Sequence, residues 1–295
     1  MQTATVQHLA IEHNLNLADF ETEFDPDYAI LWGYFNPKGA PSFTLKLLAD
    51  IRKYDRQVEK NGGSVLHEGA RHEVGYYVWS SRTKGVYNLG GDLAYFIQCI
   101  ERKDRAALLN YATLCIDSLY PRIQNYFNPA MITISLVQGD ALGGGFEAAL
   151  ASDVIIAEEQ SKMGLPEILF NLFPGMGAYS LLARRVGPRM AEAMMLSGNL
   201  YSATKLHEMG IVDIVASEGQ GEMAVYDYVQ KTQKRKNGVT GIYQARRTVS
   251  PITYEELMKI TTDWVDAALR LEAKDLRMMA RLVRSQNRLK QTELK

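Results

Sequence analysis

The stretch QGDALGGGFEAALASDVIIAEEQSKMGLPEILF, Gln138 to Phe170, decides how the rest of the chain is read. Three glycines, Gly143 to Gly145, separate the apolar run AMITISLVQG (Ala130–Gly139) from a helix-like segment. A second apolar run, DVIIAEE, follows. Such runs predict strands buried on both faces, and strand, glycine turn and helix in succession predict a parallel, helix-covered sheet. Two glutamates break the pattern. Glu147 in GFEAAL and Glu167 in LPEILF stand in apolar company, and a buried, unpaired carboxylate is costly.

The same alternation extends outward. YAILWGYF (Tyr28–Phe35) and HEVGYYVWSS (His72–Ser81) read as strands. PSFTLKLLADIRKYDRQVEKNGG reads as a helix stopped at Gly62–Gly63, and GDLAYFIQCI and DRAALLNYATLCIDSLYPRIQNYF as two more. Residues 1–25 are polar, with one possible strand near VQHLAIEH. From about residue 188 the pattern is mostly helical: PRMAEAMMLSG, SATKLHEMG and GEMAVYDYVQKTQKRK. A turn-rich KNGVTG precedes two long helical segments. Their apolar positions are Leu257, Ile260, Trp264, Ala267 and Leu271, then Leu276, Met279, Leu282 and Leu289. The expected division is a core with the catalytic site over 1–225 and a helical C-terminal region over 226–295.

With 295 residues and 46% hydrophobic content the chain can bury a sizeable core. A formal charge of −1 gives no global field for nucleic acid or an anionic membrane, and the basic cluster Lys231–Lys236 reads as a solvated helix end. Two cysteines, Cys99 and Cys115, predict reduced thiols rather than a disulfide scaffold. There is no signal-like start and no apolar run of membrane-spanning length, so a cytoplasmic protein is expected. His67 and His72 have no zinc-binding spacing, and no metal or cofactor is implied.

Three features carry possible chemistry. The glycines of QGDALGGGFE bring backbone N–H groups to the first turn of a helix, where donors are unpaired and an oxyanion can be held; a plain packing turn reads the same way. YNLGGDLAYF (Tyr87–Phe96) is a second such turn, although Asp92 there also fits a simple helix cap. Glu147 and Glu167, separated by enough chain to return to the same place, are candidates for general acid–base work.

Taken together, NLGGDL, QGDALGGGFEAALASDVIIAEE, MGLPEILFNLFPGMGAY and GNLYSATKLHEMGIVD resemble the crotonase (enoyl-CoA hydratase/isomerase) superfamily over roughly residues 28–290. Within it, NLGGDLAYF, LVQGDALGGGFEAAL, MGLPEILFNLFPGMGAYS and TTDWVDAALRL look most like the diffusible signal factor synthases of bacterial quorum sensing. Leu89 and Phe146 depart from the commoner hydratase pattern and act as subgroup markers.

The resemblance implies an α/β spiral of ββα units with a helical C-terminal trimerisation region. It implies that the N–H groups of Gly91 and Gly144 form an oxyanion hole and that Glu147 and Glu167 are the acid–base pair. Leu142, Met176 and Trp264 would line the acyl pocket, although the last two also fit core packing. The implied substrate is a 3-hydroxyacyl thioester of acyl carrier protein or CoA, dehydrated and then hydrolysed to a cis-2-unsaturated free acid. A homotrimer or dimer of trimers and a sensor-kinase partner are also implied. The competing expectations are an ordinary enoyl-CoA hydratase/isomerase and a non-catalytic partner-binding protein on the same fold.

Overall fold

The structure, a computed structural model, describes residues 17–293, with side chains up to residue 284. The segment VQHLAIEH and the side chain of Leu289 lie outside the described residues. Among the described residues the first element is an edge strand, β1 (Phe20–Asp25), antiparallel to β2 (Ile30–Phe35). The polar first residues gave no expectation of β1. Phe20 and Phe24 are its apolar positions, and Phe20 stacks on Trp79 at 5.0 Å.

α1 (Leu45–Lys60) is capped by Thr44, whose hydroxyl accepts from the Leu47 N–H at 3.1 Å. The expected strand over 72–81 divides. β3 (Ser64–His67) and β4 (Ala70–Glu73) form a separate hairpin, and β5 (Tyr76–Ser81) joins β2 in parallel. The break falls where the Val74 and Gly75 N–H groups turn away to the carbonyls of Gly63 and Ala29. His67 and His72 on the hairpin pack on Phe24, with ring centroids 5.6 and 5.4 Å from it.

A repeat then sets in: β6 (Val86–Asn88), α2 (Leu93–Glu101) and α3 (Arg105–Ile123); β7 (Ile132–Val137), β8 (Asp140–Leu142) and α4 (Gly144–Leu150); β9 (Val154–Glu158), β10 (Lys162–Gly164), a 3-10 turn (Pro166–Phe170) and α5 (Ala178–Val186). α6 (Pro188–Ser197), β11 (Leu200–Ser202), α7 (Ala203–Glu208) and β12 (Ile214–Ala216) follow. β5, β7 and β9 enter a sheet of order β1-β2-β5-β7-β9-β12, and the strand that follows each of them, β6, β8 and β10, enters a smaller sheet of order β11-β10-β8-β6. This is the expected ββα spiral. β7, ITISLV, is buried at every position, as a strand covered on both faces must be.

The helical C-terminal part comprises α8 (Gly221–Gln233), α9 (Lys236–Val249), α10 (Tyr254–Ala268) and α11 (Ala273–Glu293). α10 packs on α3 and α11 on α2. Leu257, Trp264, Val265 and Met279 thereby join the same core as α1 to α5. Lys231, Lys234 and Arg235 are exposed as expected, but Lys236 is half-buried, with Nζ 5.0 Å over the Tyr76 ring.

Two further expectations change. The turn expected at KNGVTG is the start of α9, a helix with no buried residue. It is held by Arg246 and Arg247, which both pair with the buried Asp153, and by Tyr243, whose hydroxyl meets that of Tyr228 at 3.0 Å. The helix expected through Phe127 ends at Ile123, because Asn125, Tyr126 and Phe127 turn left-handed (φ 50, 52 and 59°). The Asn125 amide there donates to the Met131 carbonyl and to Asp153, and the Tyr126 hydroxyl donates to Asp55.

Candidate functional site

The two glycine turns meet backbone to backbone. Gly90 has a φ of +88°, and a Cβ there would lie 2.7 Å from the Leu142 carbonyl oxygen and 2.9 Å from the Gly144 nitrogen. Only glycine permits both that conformation and that approach. Most N–H groups in the two turns are already engaged. Gly90 donates to the Asn88 side chain at 2.8 Å, Asp92 to the Tyr111 hydroxyl at 3.2 Å, and Gly143 to the Gly164 carbonyl at 2.8 Å. Among the described residues, nothing accepts from Gly91 or Gly144. These two unused donors both border the main cavity of the molecule.

Glu147 enters from α4, three positions beyond Gly144, and is 2% exposed. Its Oε1 accepts from the N–H groups of Met176 and Ala178, each at 2.9 Å, at the N-terminus of α5. Burial raises the affinity of its carboxyl for a proton, and those two bonds partly offset the effect. Glu167 arrives on the 3-10 turn after β10 and faces Gly143. That glycine, at a φ of +52°, has no room for a Cβ beside Glu167 Oε1. Glu167 Oε2 is sealed from solvent with no hydrogen-bond partner. Burial, and then repulsion from Glu147, raise its carboxyl too. The pair titrates jointly. The proton is held more readily on Glu167, where burial and repulsion from Glu147 outweigh the lowering by its own backbone N–H, while two N–H groups of the α5 N-terminus stabilise Glu147 as an anion.

The cavity, of about 180 Å³, is bordered by all seven residues singled out in the sequence: Gly91, Leu142, Gly144, Glu147, Glu167, Met176 and Trp264. Trp264 reaches it from α10 by packing against Gly175, where a Cβ would come within 2.5 Å of the Trp264 side chain. It meets Phe96 edge-on at 5.1 Å. The rest of the wall is largely apolar, including Phe43, Leu93, Phe96 and Leu119. The site thus offers two N–H donors for a developing negative oxygen and two carboxyls that can hold or release a proton, in a pocket suited to an aliphatic chain.

A family model described as enoyl-CoA hydratase/isomerase matches residues 77–249. The chain belongs to the enoyl-CoA hydratase/isomerase family. It is similar to 2,3-dehydroadipyl-CoA hydratase of Escherichia coli (strain K12), 40% identical over 113 residues, which is 38% of this chain and 42% of that protein. It is also similar to the enoyl-CoA isomerase/hydratase fer4 of Mycosarcoma maydis, 31% identical over 49% of this chain and 53% of that protein. These matches therefore span only about half, or less, of the curated relatives' length.

Two solved structures share the fold over nearly their whole length. Pseudomonas aeruginosa DspI has a TM-score of 0.66 and 20% identity, covering 81% of this chain and 90% of that one. Human mitochondrial delta3-delta2-enoyl-CoA isomerase has a TM-score of 0.73 and 17% identity, covering 93% and 99%.

Other residues of this family member emerge only in three dimensions. The Tyr111 hydroxyl accepts from Asp92 and donates to the Phe43 carbonyl, clamping the first glycine turn to the strand-like segment before α1. Phe96 fills the space beneath Gly91, 2.6 Å from where a Cβ would stand. Trp79, Cys115, Ser118 and Arg122 also line the cavity. In sequence, Tyr111, Cys115, Ser118 and Arg122 recur at three and four positions, the period of one helix face; that spacing was the available signal.

Proposed function

We propose that the protein is an acyl thioester dehydratase and thioesterase that makes a cis-2-unsaturated fatty acid signal of the diffusible signal factor type. The pairing of two unused N–H donors with two proton-sharing carboxyls in one apolar cavity carries this reading. The thioester carbonyl oxygen would sit between Gly91 and Gly144, which lowers the cost of forming an enolate. One glutamate removes the C2 proton and the other donates to the departing 3-hydroxyl, releasing water. The resting pair starts with one base and one acid, whichever faces C2. A second passage, with a glutamate-activated water attacking the thioester carbonyl, uses the same two donors for the tetrahedral oxyanion, which collapses by breaking the C–S bond. That releases the free acid and the carrier thiol, the thiol taking the proton that the glutamate drew from water.

The acyl carrier is acyl carrier protein or CoA, and the working compartment is the cytoplasm. Among the described residues no helix is long and apolar enough to cross a membrane. Residues 1–225 would carry the catalytic groups, while 226–295 would roof the cavity through Trp264 and take part in subunit contacts. A homotrimer is supported by exposed Ile168, Leu169, Leu196 and Leu200; the first two lie beside Gly198, between the others. A sensor-kinase partner remains part of the proposal on sequence resemblance alone.

The deciding experiment incubates the pure protein with 3-hydroxyacyl-carrier protein and analyses products by mass spectrometry. Free cis-2-enoic acid supports the synthase. Enoyl thioester without free acid supports the second reading, an ordinary hydratase/isomerase, which the names of the curated relatives favour.

A further inference from the structure

One stripe of α3 lines the cavity: Tyr111, Cys115, Ser118, Leu119 and Arg122. Tyr111 touches the Gly91 turn. Arg122 is eleven residues further along, about 16 Å at the rise of an α-helix. The stripe therefore runs from the glycine turn that would hold the thioester carbonyl to a point on the cavity wall about 16 Å further along the helix.

Arg122 is an unusual residue to find there, because it is 3% exposed. Its Nε donates to Ser152 Oγ at 3.0 Å, and its Nη2 to Ser135 Oγ at 2.8 Å and Tyr87 OH at 3.3 Å. The guanidinium also lies 4.5 Å from the centre of the Trp79 ring. All of these partners are neutral. Among the described residues no carboxylate comes within 4.0 Å of Arg122. Asp55 does sense its charge, but the Asp55 carboxyl is held by the hydroxyls of Tyr77 and Tyr126, and burial pushes it up to about 8, largely protonated at neutral pH. Nη1 has no acceptor among the described residues, yet it is not among the atoms sealed off by protein. Arg122 is one of the residues that line the cavity.

A buried cation without a counter-ion is expensive. Hydroxyls and an aromatic face hold it in position without neutralising it. An anion supplied by a ligand would do so, and a carboxylate matches the guanidinium fork. We propose that Arg122 receives an anionic far end of the acyl chain, so that the cavity is adapted to acyl thioesters terminating in a carboxylate. This rests on the thioester reading of the site but departs from an alkyl-ended product: hydrolysis of such a thioester releases a dicarboxylic acid.

The test separates the two ideas by measuring binding rather than turnover. Saturated acyl-CoA thioesters of graded length, one series ending in a methyl group and one in a carboxylate, are titrated calorimetrically into the wild-type protein. At the length that reaches Arg122, the carboxylate series should bind roughly 10–100-fold more tightly than its methyl partner. Arg122→Gln should abolish that preference, and Arg122→Lys should keep part of it. Tighter binding of the methyl series at every length, or an undiminished carboxylate preference in folded Arg122→Gln, overturns the inference alone. If neither series binds, whether carried on CoA or on acyl carrier protein, the thioester reading falls with it. If Arg122→Gln does not fold, the wild-type comparison still decides.

Discussion

Replacing Glu147 by glutamine isolates the proton-transfer role from the architecture around it. The amide oxygen of glutamine can still accept from the Met176 and Ala178 N–H groups, each now 2.9 Å from Glu147 Oε1, so the N-terminus of α5 keeps its anchor. What disappears is a group able to take or give a proton. Loss of one positioned acid or base slows such reactions by roughly 10²–10⁴, equivalent to about 2.7–5.4 kcal/mol of barrier. Stability should move the other way. Burial makes the folded state hold the Glu147 proton more tightly than the unfolded chain does. Its contribution to stability is therefore complete below the ordinary carboxyl range and is lost as pH rises through the folded titration.

The glutamine variant has no such loss. It should match the wild type near pH 4 and exceed it by roughly 1–3 kcal/mol near pH 8. For chains of 150–250 residues each kcal/mol is worth about 2–4 °C in Tm, with less expected for this longer chain. Removing the repulsion from Glu147 should also let Glu167 ionise at lower pH, readable from its isotope-edited carboxyl stretch. The assays are turnover of a 3-hydroxyacyl thioester and thermal melts across pH. A folded variant with near-normal turnover refutes the acid–base assignment. A pH-independent stability difference refutes the electrostatic argument.

Gly143→Ala should cut turnover by about 10² and lower Tm, because the new Cβ displaces the Glu167 carboxyl and strains a φ of +52°; unchanged kcat would show that Glu167 is not held by this contact. An ester in place of the peptide bond at the Gly144 nitrogen, made by semisynthesis, deletes only the N–H and should cost about 10²–10³ in rate in both dehydration and hydrolysis. Loss in one step alone would mean that the two steps do not share a hole. Trp264→Ala should destabilise by about 3–5 kcal/mol and alter selectivity among acyl lengths more than kcat, as measured by competing substrates; unaltered selectivity would leave Trp264 a packing residue.

The parts of the fold legible in sequence are those whose burial is dictated locally. β7 and β9 are apolar on both faces, and α4 starts where three glycines end a strand, so no distant partner is needed to place them. α9 is the opposite case. Nothing in KNGVTG favours a helix, and none of its fourteen residues is buried. Its C-terminal turn is tied to Asp153 by two arginines, and Asp153 lies far away in sequence. The left-handed turn over Asn125–Phe127 is likewise set by tertiary bonds to Asp153 and Asp55, which outweigh a cost of roughly 1–2 kcal/mol per residue.

The candidate site divides along the same line. A carboxylate in apolar company is visible in sequence as an anomaly, and so is a run of three glycines. Glu147, Glu167 and Gly144 stand out for that reason, and the motif order brings in Gly91. Which N–H groups stay unused is invisible there, because that depends on Asn88, Tyr111 and Gly164 taking up their neighbours. Arg122 is hidden for a related reason. One arginine near the end of a helix reads as a solvated charge, with the helix C-terminus to favour it. Only when α3 is laid against α4, β6 and β7 do its neighbours prove to be Ser135, Ser152, Tyr87 and Trp79, all neutral. Sequence therefore reveals charges placed against their local pattern. A charge that suits its local pattern and is stranded by the fold needs coordinates to be seen.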